Sequence, residues 1–271
     1  MKMALIGSGN MGQALIRGFL LKNCLLGSDV TVYDVDRDKA AGFAARNGLR
    51  AADSASDAAA GADIVLLAVK PQTIAAAVAG FADQLTDNTL LVSIAAGVSL
   101  NRLRLLAGPG PALARVMPNT PAMVGSGVSA VCYDQASHVQ RQSVEELLSS
   151  CGLAVSIPEN LMDAVTGLSG GGPAYAMLMI EAMSDAGVLL GLPRQQAQQM
   201  AAMTLLGSAR MVLETGIHPA ELKDQVCSPG GTTIEAIASL ESDGLRAALI
   251  RAVGAAADKS RRMRESAGEH V

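Results

Sequence analysis

Aromatic residues make up only 2% of the 271-residue chain, tryptophan is absent, and the formal net charge is −4. A nucleic-acid groove needs a basic stripe and rings for bases to stack on, so no nucleic-acid partner is expected. The single cationic cluster, KSRRMR at 259–264, reads as the solvated last turn of a helix, where positive charge suits the macrodipole. Three histidines (His138, His218, His270) and four cysteines (Cys24, Cys132, Cys151, Cys227) are widely scattered. That scatter offers no metal-ligand spacing and no C-x-x-C pair, so the thiols read as reduced, buried packing residues. Cys227 is the one beside a Pro-Gly-Gly turn, where reactivity would require a lowered pKa. Long apolar runs are missing as well: stretches such as ADIVLLAV at 62–69 are far too short to cross a bilayer. The start, MKMALIGSGN, runs into glycines without the apolar stretch and cleavage site of a secretory signal, and the expected location is cytoplasmic.

Alanine is plentiful, in helical patterns that carry the hydrophobic fraction to 50%, and the length allows one large domain or two ordinary ones. MALI at 3–6, the glycine-rich GSGNMG, the helical QALIRGFLLK and the β-rich VTVYDV at 30–35 make a βαβ unit. Strand candidates follow at 64–69, 89–95 and 112–117, separated by segments of helical period such as QTIAAAVAGFA and SLNRLRLLA. This alternation implies a mostly parallel sheet with helices on both faces, a doubly wound α/β domain. GVSAVCY and LAVSI extend the sheet, with VQRQSVEELLSSCG as a helix between them.

After about Ile157 the β-branched runs stop, and Ala, Met, Leu, Glu and Gln dominate. Helices are expected at 173–190 (opened by Pro173), 194–215, just after His218, 232–241 and 243–265. The expected division is a dinucleotide-binding domain over 1–158 and an all-α domain over 159–271. Segments such as AYAMLMIEAMSDAGVLLG are apolar around more than one stripe and must be buried, which predicts that this half pairs with a second copy of itself.

Gly7, Gly9 and Gly12 form G-x-G-x-x-G between a strand and a helix, with Asp34 ending the second strand. The first glycine permits a tight turn, the second lets backbone approach a pyrophosphate, and the third allows close helix packing. The loop Gly7, Ser8, Gly9, Asn10, Met11 and Gly12 is therefore the expected phosphate cradle. Asp34 is suited to a ribose hydroxyl and repels a 2′-phosphate, whereas Arg37 can offset that repulsion. NADH and NADPH both remain, with a lean to NADH. Ala68, Val69, Lys70 and Pro71 end the third major strand, at the edge where such sheets bind ligands. Lys70 is either a cofactor or substrate contact or a surface lysine. Asn119, between two prolines in MPNTP, stands on a stiff turn suited to presenting an amide.

With GSGNMG, AVKP, RVMPNTP, GLSGGGPAY and DQVCSPGGTTIEAI in this order, nearly the whole chain resembles the Δ1-pyrroline-5-carboxylate reductase family. The resemblance implies a Rossmann domain followed by a helical domain that interlocks with a neighbouring subunit, in dimers that commonly assemble into a decamer. It implies reduction of the C=N bond of a cyclic imino acid by NADPH or NADH, giving L-proline. Carried onto this chain, Ser228, Gly230, Gly231, Thr232 and Thr233 hold the substrate together with Asn119, and Thr233 faces the ring nitrogen. The family has a serine where this chain has Gly171, so a contact made by that hydroxyl is missing here. A β-hydroxyacid dehydrogenase-like enzyme would need a lysine soon after the glycine-rich segment, and none lies between Lys70 and Lys223. A nucleotide-sensing Rossmann protein without turnover is the remaining alternative, because fold alone does not set function.

Overall fold

The structure is a computed structural model and describes residues 1–266; His270 lies outside the described residues. The chain divides into two compact units, one formed by Met1–Gly170 with the stretch from Ala255 onward, the other by Gly171–Gly254.

The first unit is built on strands β1 (Met3–Ile6), β2 (Val30–Tyr33), β3 (Arg50–Ala51), β4 (Ile64–Leu67), β5 (Leu90–Ser93), β6 (Ala112–Met117), β7 (Gly127–Asp134) and β8 (Gly152–Ser156). They form one sheet in the order β3-β2-β1-β4-β5-β6-β7-β8, parallel at every pairing except β6 with β7. Connection length explains the exception. Nearly every parallel neighbour is reached through a crossover helix, whereas β6 reaches β7 through a turn holding only the short helical segment Thr120–Val124, so the strand must fold back. The helices are α1 (Asn10–Leu21), α2 (Arg37–Asn47), α3 (Ala55–Ala59), α4 (Ile74–Ala79), α5 (Leu100–Ala107), α6 (His138–Ser149) and α7 (Met162–Val165). They cover both faces. Met3, Leu5, Ile64 and Leu66 point to the side of α1, α2 and α6, while Ala4, Ile6, Val65 and Leu67 point to that of α3, α4 and α5. Both faces being buried is why these strands read as continuous apolar runs rather than alternating ones.

The second unit contains α8 (Gly172–Leu189), α9 (Arg194–Thr215), α10 (Pro219–Val226) and α11 (Thr232–Ser242); α12 (Leu245–Ser266) begins in it and ends in the first unit. Helices α8 and α9 approach closely at Gly187, where an added Cβ would stand 2.9 Å from that of Ala197. Few of their side chains are buried in the chain: Ser184 on α8, Ala197 and Ala201 on α9.

Two sequence readings change. The cluster at 259–264 is not wholly solvated, because Arg264 donates to Asp163 Oδ2 at 3.1 Å with its side chain 11% exposed. Ser260 Oγ donates to the other oxygen of Asp163 at 2.7 Å, which fastens the last turns of α12 to α7. Among the cysteines, Cys132 and Cys151 are buried and Cys227 is half-buried, but Cys24 is exposed. Asn23, two residues past α1, lies at positive φ (+56°) just before Cys24. Burial, then the Glu159 charge, pushes the Cys132 thiol up to about 12, and burial also raises Cys151. A thiol reagent at mildly alkaline pH should therefore label Cys24 at once and Cys132 and Cys151 only after unfolding, as site-resolved mass spectrometry would report.

Candidate active site

The loop after β1 passes almost in contact with the end of β4. Gly7 has φ +94°, and a Cβ there would lie 2.7 Å from the Ala68 carbonyl oxygen. At Gly12 a Cβ would stand 2.9 Å from both Ala68 Cβ and the Gly7 carbonyl oxygen. Protein packing therefore demands both glycines. Gly9 differs: its backbone is ordinary (φ −69°, ψ 173°), and the nearest atom to an added Cβ is 3.9 Å away. The space over Gly9 is open on a cleft of about 510 Å³ at the carboxyl edge of the sheet, lined also by Gly7, Asp34, Ala68, Val69 and Lys70. It lies where the strand order reverses around β1, the position at which open α/β sheets bind ligands. An absent side chain that the protein itself does not require, beside the uncapped start of α1, fits a pyrophosphate.

At the end of β2, Asp34 Oδ2 accepts from the Ser8 N–H at 2.6 Å and from Ser8 Oγ at 2.9 Å, while Oδ1 accepts from the Asp36 N–H at 3.0 Å. Burial pushes the Asp34 carboxyl up, but these three bonds and the Lys39 charge outweigh it and hold its pKa below the ordinary carboxylate value. Ser8 is fully buried, and Gln13 Nε2 donates to its carbonyl oxygen at 2.8 Å. The expected cofactor residues thus separate by position. Met11, on the same face of α1 as Leu15 and Phe19, packs on the core instead of lining the cleft. Asn10 and Pro71 do not line it either, and Pro71 opens a short helical turn, Pro71–Thr73. Sequence reading missed Tyr33, Lys39 and Thr73, which do line it. Lys39 was open to detection, since Asp36 caps α2 through the Lys39 N–H and so places that residue in the first turn.

The loop before α11 also places a glycine of positive φ ahead of an extended glycine, here adjacent to one another. Gly230 has φ +66°, and Gly231 is extended (φ −80°, ψ 169°) with no side-chain cap on the helix that follows. A Cβ at Gly231 would strike Ser228 Oγ. Among the described residues, the hydroxyls of Ser228, Thr232 and Thr233 make no hydrogen bond; α11 begins uncapped, as do α1, α4, α8 and α9, whereas α2, α3, α5 and α6 are capped by Asp36, Ser54, Ser99 and Ser137.

Asn119 is held by its own chain. It is 7% exposed, its Oδ1 accepts from the Val128 N–H at 2.8 Å, and its Nδ2 donates to the Ser169 carbonyl at 3.0 Å. The amide closes the β6–β7 turn and leaves one Nδ2 hydrogen. Gly171 precedes α8 at φ −83°. Among the described residues no group of His, Cys, Asp and Glu is placed to hold a metal ion, and no helix is long and apolar enough to cross a membrane.

A glycine loop over the switch point of a parallel sheet, with a carboxylate at the end of β2, defines a dinucleotide-binding protein of the Rossmann class. A family profile described as pyrroline-5-carboxylate reductase dimerisation matches residues 159–263, and one described as NADP oxidoreductase, coenzyme F420-dependent, matches residues 2–97. The pyrroline-5-carboxylate reductase of Escherichia coli (strain K12) is 42% identical over 98% of this chain and 99% of its own. Among solved structures, a pyrroline-5-carboxylate reductase from Coxiella burnetii has a TM-score of 0.91 at 33% identity, covering 97% of this chain and 98% of its own. The Plasmodium falciparum pyrroline carboxylate reductase with NADP bound has a TM-score of 0.88 at 32% identity, with the same coverage of both chains. The chain belongs to the pyrroline-5-carboxylate reductase family.

The glycines should separate experimentally. Gly12→Ala should lower the stability of the ligand-free protein by about 1–3 kcal/mol through overpacking, measured by denaturant unfolding. Gly9→Ala should leave that stability nearly unchanged yet weaken dinucleotide binding by about tenfold or more, measured by calorimetric titration.

Proposed function

We propose that this protein reduces Δ1-pyrroline-5-carboxylate to L-proline, with NADPH or NADH as reductant. Family membership across both ends of the chain supports this reading. The structural observation that carries it is the second glycine loop, where the start of α11 has no side-chain cap and three hydroxyls without a hydrogen bond lie within six residues of one another.

The substrate is a five-membered ring with a carboxylate and an imine nitrogen. N–H groups at the first turn of α11 favour the carboxylate, and Gly230 and Gly231 let backbone come close to it. Ser228 and Thr232 add hydroxyl donors, Thr233 orients the ring nitrogen, and Asn119 serves by keeping its turn closed. The reduced nicotinamide, held by the loop Gly7–Gly12 with Asp34 and the Ala68–Pro71 segment, supplies the hydride when bound. A protonated imine is already electrophilic and leaves as a neutral amine, so no alkoxide forms that would need a strong proton donor. Orientation and exclusion of water are then the main demands on the protein, consistent with the scarcity of acid–base side chains.

The division into a dinucleotide-binding domain over 1–158 and a substrate and dimerisation domain over 159–271 is part of this proposal. So is pairing through the helical half, since Met200, Met203, Leu206 and Leu213 on α9 are each more than half exposed in the single chain. Dimers assembling further into a decamer, in the cytoplasm and in proline synthesis, complete the reading.

Purified protein mixed with the cyclic imine should consume nicotinamide absorbance, and absence of consumption in folded, nucleotide-binding protein would overturn the assignment. Thr233→Ala should lower kcat/KM by on the order of tenfold to a hundredfold, the scale of a lost hydrogen bond in a reactive complex; unchanged turnover would exclude the ring-nitrogen contact. Leu206→Asp on α9 should shift the protein toward monomer in analytical ultracentrifugation, and an unaltered mass would place the interface elsewhere.

A further inference from the structure

The chain enters the helical unit at Gly171 and leaves it after Gly254. Glycines mark both crossings where packing does not require them: an added Cβ at Gly172 or Gly254 would meet no atom within 4 Å. Glycine makes the start of α8 and the middle of α12 pliable. What fixes the crossings must therefore lie just outside them. On the entry side, Asn119 holds the Ser169 carbonyl, and a Cβ at Gly170 would stand 2.6 Å from Met117 Cε. On the return side the hold is Asp163 on α7. Its Oδ1 accepts from Ser260 Oγ at 2.7 Å and its Oδ2 from Arg264 Nη2 at 3.1 Å. The Asp163 and Arg264 side chains are 17% and 11% exposed, and Ser260 is buried.

We propose, resting on the function assigned above, that Asp163 is a positioning residue for the imine reduction, acting through both crossings on the second glycine loop. Its partners stand 97 and 101 residues away in sequence, so one carboxylate closes a loop that contains the whole helical unit and the residues Ser228 to Thr233 with it. Asp163 lies outside the dinucleotide cleft and outside that glycine loop, so it acts by placement and not by contact. Ser260 and Arg264 are four apart and share one face of α12. Each takes its own carboxylate oxygen, which ties two successive turns of α12 to the helix that leads into the entry crossing. Losing the carboxylate charge strands the guanidinium of a mostly buried pair, so the clasp does not slip open readily. Hydride transfer makes the demand: reacting atoms must approach to about 3–3.5 Å, and a displacement of about 1 Å set far from the chemistry can cost on the order of a hundredfold in rate. With pliable glycines at both crossings, a unit fixed at its entry alone would not meet that demand.

The test is Asp163→Asn, which keeps the shape but removes the charge and one acceptor, studied by steady-state kinetics with the cyclic imine, by dinucleotide binding through nicotinamide fluorescence, and by hydrogen exchange. The variant should lose about tenfold or more in kcat, with a smaller change in KM for the imine. Dinucleotide affinity should change by about twofold or less, since the cleft is remote from the clasp. Exchange should rise together in the last turns of α12 and in residues 162–170, and stay unchanged in the loop Gly7–Gly12. A variant that melts lower yet keeps full kcat overturns the proposal, because the clasp then serves stability alone. So does a loss of kcat without faster exchange at either crossing. Should Asp163→Asn fail to fold, Ser260→Ala, which removes one bond and strands no charge, decides by the same readouts, with a smaller loss of kcat in the same direction expected. Unaltered protein that shows no imine-dependent turnover would overturn the assigned reaction and this role together, whereas full turnover in the variants overturns this role alone.

Discussion

The narrow gap between the first loop and Ala68 governs the whole carboxyl edge of the sheet. The loop is joined to its neighbours on both sides, with the Gly7 N–H donating to the Tyr33 carbonyl at 2.8 Å and the Ala68 N–H donating to the Ile6 carbonyl at 2.8 Å. Gly7 and Gly12 have no Cβ because Ala68 occupies that space, which fixes how α1 leaves the sheet. Once α1 is fixed, its first turn faces the cleft and its next turns bury Leu15, Ile16 and Phe19 in the core. A packing constraint two residues wide thus couples the hydrophobic core to an anion site.

The two glycine loops share one physical device. Each joins a glycine of positive φ to an extended glycine at the start of a helix without a side-chain cap. Other helices, such as α2 and α6, satisfy their first N–H groups with Asp36 or Ser137, although α4, α8 and α9 also begin without a side-chain cap. Leaving those groups open costs helix stability, and the cost is offset when an anion arrives. Both loops thus leave N–H groups of a helix start available to an anion.

Local pattern made much of this legible. The alternation of apolar runs and helical segments gave the doubly wound sheet, and GSGNMG between strand and helix located the cleft. Polar pairs far apart in sequence were not readable, because periodicity reports which face is buried and not which distant group meets it. Arg115 and Glu159 form an ion pair at 3.0 Å, with side chains 5% and 19% exposed, and nothing in their surroundings in the sequence announces it. Asp163 with Ser260 and Arg264 is a similar case. The partners of Asn119 were not legible for the same reason: its flanking prolines marked a stiff turn, but Val128 and Ser169 lie elsewhere along the chain. The reversal at β7 was accessible, since too few residues follow β6 for a crossover helix.

Helix α8 has one buried side chain, that of Ser184, while Met177, Leu178 and Met183 face outward in the single chain. Such a helix packs on α9 but buries few side chains in its own chain, so cover from outside adds to its stability. When that cover is another copy, folding and association share one equilibrium, and the melting temperature rises with protein concentration by mass action. Dilution then acts on this protein as a mild denaturant, loosening first the half of the chain that carries the second glycine loop.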